Sequence, residues 1–163
     1  MKNNILLLSF FIIFFGCNTK KIERENEPDI YEVQSSDVEM NQAIENAKKT
    51  LDSFDIAFKN NSRVFTFFSL KKRFEENGNI EHIWIGNIQG FKDEKYKGVI
   101  DNLPEIIKNV KLGDTVEINK NEISDWMYLK NSKLHGGYTI RLLVKRMSKS
   151  ERNDFETNSG IKL

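Results

Sequence analysis

The chain has one cysteine, Cys17, and two histidines, His82 and His135, in 163 residues. A single thiol cannot close an intramolecular disulfide, so the folded part must be stable without one even in an oxidising compartment. A zinc site takes about three protein ligands, and the two histidines lie in separate segments with no HExxH or paired-cysteine spacing, so no metal and no cofactor is expected. Long apolar runs are equally scarce. The one near the start, Ile5 to Phe15, is eleven residues long with Ser9 as its only interruption, whereas a bilayer-spanning helix needs ~20. A basic excess is missing too: the chain has 25 basic and 24 acidic residues, and 24 of each once Lys2 is set aside. That balance argues against a nucleic-acid partner, which calls for a clustered positive field. GxSxG, P-loop and GxGxxG patterns are all absent, which removes the common nucleophile-elbow, phosphate-loop and dinucleotide readings.

What is present begins with an address. Lys2, the short apolar run and Gly16-Cys17 have the layout of a secretory signal. The sole cysteine at its polar end resembles the lipobox of bacterial lipoproteins, with Phe14 standing where that pattern usually has Leu. Residues 1–16 are therefore expected to be a lipoprotein signal peptide. Cys17 is expected to be the acylated (palmitate-bearing) first residue of an envelope protein, lipid-anchored to a membrane and facing the periplasm or the outside. Residues 17–35, polar and charged with Pro28, read as a flexible tether. Residues 36–163 read as a single domain, for which 39% apolar and 11% aromatic content suffices to build a core.

Ser36 and Asp37 can cap a helix. Behind them Met40, Ile44, Ala47, Leu51, Phe54 and Phe58 recur at spacings of four and three, predicting one amphipathic helix over about 37–59, with Asn41, Glu45, Lys48, Asp52 and Asp55 on its outer face. Arg63 to Leu70 is rich in Phe, Val and Thr and reads as a strand. A charged ribbon and the Asn77-Gly78 turn lead to a second strand, Ile80 to Ile88, paired antiparallel with the first. Further strands are expected near 99–100, 116–118 and 124–129, a helical turn at 105–110, a final helix capped by Thr139, and a small one opened by the Ser148/Glu151 capping box. The fold class is α+β: an N-terminal amphipathic helix packed on an antiparallel sheet of about four to five strands, with one or two C-terminal helices.

Period-two alternation puts His82 and Trp84 on one strand face, and Trp126 and Tyr128 on one face of another beside Gly136-Gly137. With Asp125 and Arg141 these six, His82, Trp84, Asp125, Trp126, Tyr128 and Arg141, are the candidate ligand-binding surface if the rings converge. A Trp or Tyr in a strand is more usually core, with its polar tip satisfied. A hydrolase using His82 and Asp125 with a hydroxyl such as Ser124 is the enzyme alternative. An immunity-like protein that neutralises a toxin is a special case of the binding class.

The combination of Glu81-His82 with Trp84, Gly98 with Asn102 and Pro104, Gly113-Asp114, Asp125-Trp126 with Tyr128, and Gly136-Gly137 with Thr139 and Arg141 resembles the YegJ-like bacterial family, domain of unknown function 2314. Met40, Ala43, Ala47 and Phe54 of the amphipathic helix fit as well. The resemblance covers about Val38 to Phe155. It implies no activity and no assigned catalytic residue, so the function expected is that of an uncharacterised envelope lipoprotein with a non-catalytic domain that binds a protein or small ligand.

Overall fold

A computed structural model describes residues 21–22, 30–31 and 37–163 except 61 and 93–94. The expected signal peptide, Cys17 and Ser36 lie outside the described residues, as does most of the expected tether. Within that stretch Lys21–Ile22 (β1) and Ile30–Tyr31 (β2) pair antiparallel. They belong to a unit separate from Asp37–Leu163.

Asp37 opens α1, Val38–Lys49, its carboxylate accepting from the Met40 amide at 3.0 Å. The predicted single helix breaks at Thr50 and resumes as α2, Leu51–Asn60. Thr50 Oγ1 lies 2.8 Å from Asn46 O and 2.9 Å from the Tyr138 hydroxyl. Such back-bonding by a threonine competes with the helical ladder and bends it. Met40, Ala47, Leu51 and Phe54 are buried as the periodicity requires, and Ala57 joins them while Phe58 is only partly buried. Asp55 departs from expectation: it is buried, takes the Tyr96 hydroxyl proton in a hydrogen bond and pairs with Lys120 Nζ at 2.9 Å.

The strand expected to stop at Leu70 continues through the charged residues as β3, Phe65–Glu76, and turns at Asn77-Gly78, both at positive φ, into β4, Asn79–Gly86. The two pair antiparallel from Leu70↔Ile85 to Glu76↔Asn79. Phe91–Lys92 (β5), Lys95–Ile100 (β6), Thr115–Asn119 (β7), Ile123–Lys130 (β8) and Lys133–Gly136 (β9) complete a seven-stranded antiparallel sheet. Tyr96 faces Phe91 on one side and Ile118 on the other, and Val99 faces Gly86 and Thr115. β5 and β4 therefore lie along one edge of β6, and β7 along the other. β3 sits centrally between β4 and β8, and β9 closes the far side.

The helical turn expected at 105–110 does not form. The Glu81 carboxylate instead accepts from the Glu105, Ile106 and Ile107 amides at 2.9 to 3.0 Å, and Glu76 from Lys108 N at 2.8 Å, so the loop spends its backbone donors on β3 and β4. After β9 come α3, Tyr138–Arg146, and α4, Lys149–Ser159, the latter opened by the expected Ser148/Glu151 capping box. The core joins Ala47, Leu51 and Phe54 of the helices to Leu70, Ile83, Ile85, Tyr96, Ile118 and Trp126 of the sheet. Phe54 is its hub, stacked on Phe58 and edge-on to Phe68, Tyr96 and Trp126. All of these residues come from 37–163, so this unit carries its own core.

Candidate functional site

Cross-strand pairing decides which side chains meet. Trp84 on β4 faces Lys71 on β3, and Lys71 faces Asp125 on β8; two residues along, His82 faces Arg73. Directly opposed residues share a sheet face, so Trp84, Lys71, Asp125, His82 and Arg73 form one row set. Trp126 and Tyr128 are out of step with Asp125 by one and three residues and belong to the opposite face.

The six expected site residues therefore do not form one surface. Trp126 is core: its indole N–H donates to Ala47 O at 2.9 Å, fixing β8 to α1. Tyr128 stacks on His135 at 4.9 Å and lies against Phe65 and Phe68. Arg141 donates from Nε to Gly136 O and from Nη2 to Leu134 O at 2.9 and 2.6 Å, clamping β9 to α3. His82, Trp84 and Asp125 remain together, joined by three residues outside those six, Lys71, Arg73 and Thr139. Two of these were legible. Extending the period-two alternation past Leu70 places Lys71 and Arg73 beside each other on one face, although the run of charges there has the composition of a strand end.

Asp125 is fully buried and accepts four hydrogen bonds: from the Trp126, Tyr138 and Thr139 amides at 2.8, 3.2 and 2.8 Å, and from Thr139 Oγ1 at 2.7 Å. Thr139 was expected to cap the last helix. The cap is instead Asp125, supplied from the neighbouring strand, because Gly137 at the N-cap position has no side chain to offer. Gly136 and Gly137 hold φ of 69° and 62°, and a Cβ at 136 would stand 2.2 Å from Trp126 O. Only glycine lets the chain turn that close to β8.

Lys71 Nζ donates to Thr139 Oγ1 at 3.3 Å and lies 5.3 Å from the centre of the Trp84 ring. Lysine, threonine and aspartate thus form a continuous relay. Burial pushes the Asp125 carboxyl up, opposed by the donors around it, and burial pushes the Lys71 ammonium down, opposed by the Asp125 charge. His82 is lowered to about 4, first by burial and then by the charges of Lys71, Arg73 and Lys48, so it is neutral at pH 7. Its Nδ1 is buried and has no hydrogen-bond partner among the described residues.

Ser124 Oγ donates to Lys71 O at 3.1 Å, away from any histidine. No group of three or more His, Cys, Asp or Glu among the described residues could hold a metal ion. No described helix is long and apolar enough to cross a membrane. A shallow depression lined by Lys72, Arg73, Phe74, Glu75, Asn121 and Glu122 contains none of the six expected residues.

An α+β domain with a seven-stranded antiparallel sheet, helices packed on its Phe54 face and a polar relay on the other side is the class these features define. The chain belongs to the bacterial family described as "Uncharacterized protein conserved in bacteria (DUF2314)", whose model matches residues 37–163. It is 32% identical over 154 residues to "Uncharacterized protein YegJ" of Escherichia coli K12, spanning 94% of this chain and 95% of that one. It is also 33% identical over 140 residues to the "Putative ankyrin repeat protein NMB1133/NMB1171" of Neisseria meningitidis serogroup B, spanning 81% of this chain and 55% of that one. No solved structure gives a significant match.

Proposed function

We propose that this protein is a cell-envelope lipoprotein, held to a membrane by acyl chains on Cys17, whose domain is a non-catalytic binding module. The observation that carries the second half is the fate of the groups a hydrolase would need. The Asp125 carboxylate is occupied by four donors, three of them backbone amides, and the Ser124 hydroxyl is spent on Lys71 O. Neither serves His82 in an acid–base chain, which argues against the enzyme alternative. His82 and Trp84 share one face of β4, each ring partly exposed, and the His82 Nδ1 is buried with no hydrogen-bond partner among the described residues. A partly exposed neutral imidazole beside a partly exposed indole suits recognition of a polar ligand or peptide by stacking. The Neisseria meningitidis relative is named a putative ankyrin repeat protein, and stacked repeats of that kind present binding surfaces.

For the anchor, the support is an apolar run too short to span and a sole cysteine at its polar end. Each acyl CH₂ buried in lipid contributes about 0.8 kcal/mol, so several chains on one residue retain a domain of balanced charge. Growing cells with a clickable fatty acid should label the wild type and leave Cys17→Ser unlabelled and released from the membrane fraction. An unmodified Cys17 by intact mass would defeat the anchor. A photo-crosslinker at position 84 should capture a partner in the native envelope; turnover of an ester or glycoside panel that is lost in His82→Ala would defeat the non-catalytic reading.

A further inference from the structure

One end of the sheet gathers cations that no ion pair among the described residues neutralises. Lys130 on β8 faces Lys133 on β9, and Lys133 bridges in parallel to Lys162, so three lysines stand in adjacent chain segments, with Phe65 of β3 next in the row. Strands lie about 4.8 Å apart, so the row from Phe65 to Lys162 spans ~14 Å. Like charges directly opposite each other destabilise a sheet. None of these lysines makes an ion pair among the described residues, and neither does Arg63 at the start of β3; all four are exposed. Elsewhere in the domain Lys72, Lys95, Lys120, Lys145 and Arg146 each have an acidic partner within 4 Å.

The same end carries apolar side chains turned to solvent. Phe67 is 74% exposed and Val64 43%. Phe67 sits at φ 53° in the irregularity where the pairing of β3 with β8 slips between Thr66 and Ser69. A phenylalanine in the left-handed region is strained, and here the strain accompanies a ring displayed outside the core. Val64 O accepts from Asn131 N, so the start of β3 and the β8–β9 turn lie side by side. Cations flanking a protruding ring form the chemistry that docks on an anionic interface, the ring entering the acyl boundary and the cations meeting phosphates.

We propose that Arg63, Lys130, Lys133 and Lys162, with Phe67 and Val64 as the apolar tip, form a surface that docks on the anionic phospholipid headgroups of a bilayer. The choice of a bilayer over another polyanion rests on the lipoprotein reading above, because a domain leashed to a membrane meets its headgroups at high effective concentration. Docking then gives the acyl anchor a second, reversible contact and limits which face of the domain is open to a partner.

The test is co-sedimentation of a chain beginning at Asn18, which lacks Cys17 and the apolar run, with vesicles of phosphatidylcholine alone or mixed with phosphatidylglycerol. Partition into the mixed vesicles only, weakened by salt, is expected. Each lysine at an anionic surface contributes about fivefold, so Lys130→Glu with Lys133→Glu should lose at least about tenfold. Phe67→Ser should lose about tenfold through the ring it removes. Lys97→Glu with Lys111→Glu, an equal charge change at exposed positions elsewhere, should bind as the wild type does. No partition at low salt, an unchanged charge-reversed variant, or an equal loss in the Lys97/Lys111 control would each overturn the proposal. So would a crosslinker at position 67 that captures a protein while vesicles are ignored, which would assign the patch to that protein. Because this chain is never acylated, its vesicle binding is independent of Cys17. A failure of fatty-acid labelling with vesicle binding intact would sink the anchor and leave the patch.

Discussion

Asp125→Ala removes the acceptor for four donors at once, and its cost can be built from the contacts. Loss of a helix cap costs about 1 to 2 kcal/mol, here at the α3 N-terminus through the Tyr138 and Thr139 amides. A buried amide left without a partner costs about 1 to 3 kcal/mol, and the Trp126 amide is one. The Lys71 ammonium, joined to the carboxylate through the Thr139 hydroxyl, meanwhile loses the charge that opposes its desolvation; removing one partner of a directly paired buried charge costs about 3 to 5 kcal/mol, an upper bound for a pair bridged in this way. These effects overlap, so the expected loss is about 3 to 5 kcal/mol, a large share of the roughly 5 to 15 kcal/mol that holds a domain together. Urea titration followed by circular dichroism reads it as a lower midpoint with an unchanged slope. The decisive arm is Lys71→Met in the Asp125→Ala background. Deleting the orphaned cation should recover about 1 to 2 kcal/mol, whereas strict additivity would mean that the relay through Thr139 carries no coupling. A single-variant loss under about 1 kcal/mol would refute the placement of Asp125 as the buried cap.

Two further outcomes follow from the same face. His82 binds its proton better in the unfolded chain than in the folded one, so its contribution to stability is present above about pH 6.5 and lost as the pH falls through 4. At 1.36 kcal/mol per unit this amounts to no more than roughly 3.5 kcal/mol, and His82→Gln should flatten the wild-type slope across that window; an identical slope in both proteins would contradict it. Gly136→Ala should destabilise by more than about 2 kcal/mol, since strained φ and a Cβ pressed onto the Trp126 carbonyl act together. A variant as stable as wild type by thermal melting would show that β9 does not approach β8 so closely.

What the amino-acid sequence determined by itself is local. The spacing of Met40, Ala47, Leu51, Phe54 and Phe58 named the buried face of the helical stretch because side chains three and four apart share one face whatever they pack against. Asn77-Gly78 named the hairpin because both residues tolerate positive φ, and Ser148 with Glu151 named a helix start because their partners lie within one turn. Gly136-Gly137 announced a backbone demand without saying from where. The tertiary structure alone decided the rest. Helix 37–59 breaks at Thr50 because its hydroxyl meets Tyr138, 88 residues away. Asp55 is buried because Tyr96 and Lys120 arrive to satisfy it. Trp84 and Trp126 fall on opposite faces because pairing with the central strand β3 matches Trp84 through Lys71 to Asp125, one residue short of Trp126. Alternation along a strand tells which residues share a face within it. Which faces of different strands coincide is set by register, and register is set by contacts between segments that the linear chain keeps far apart.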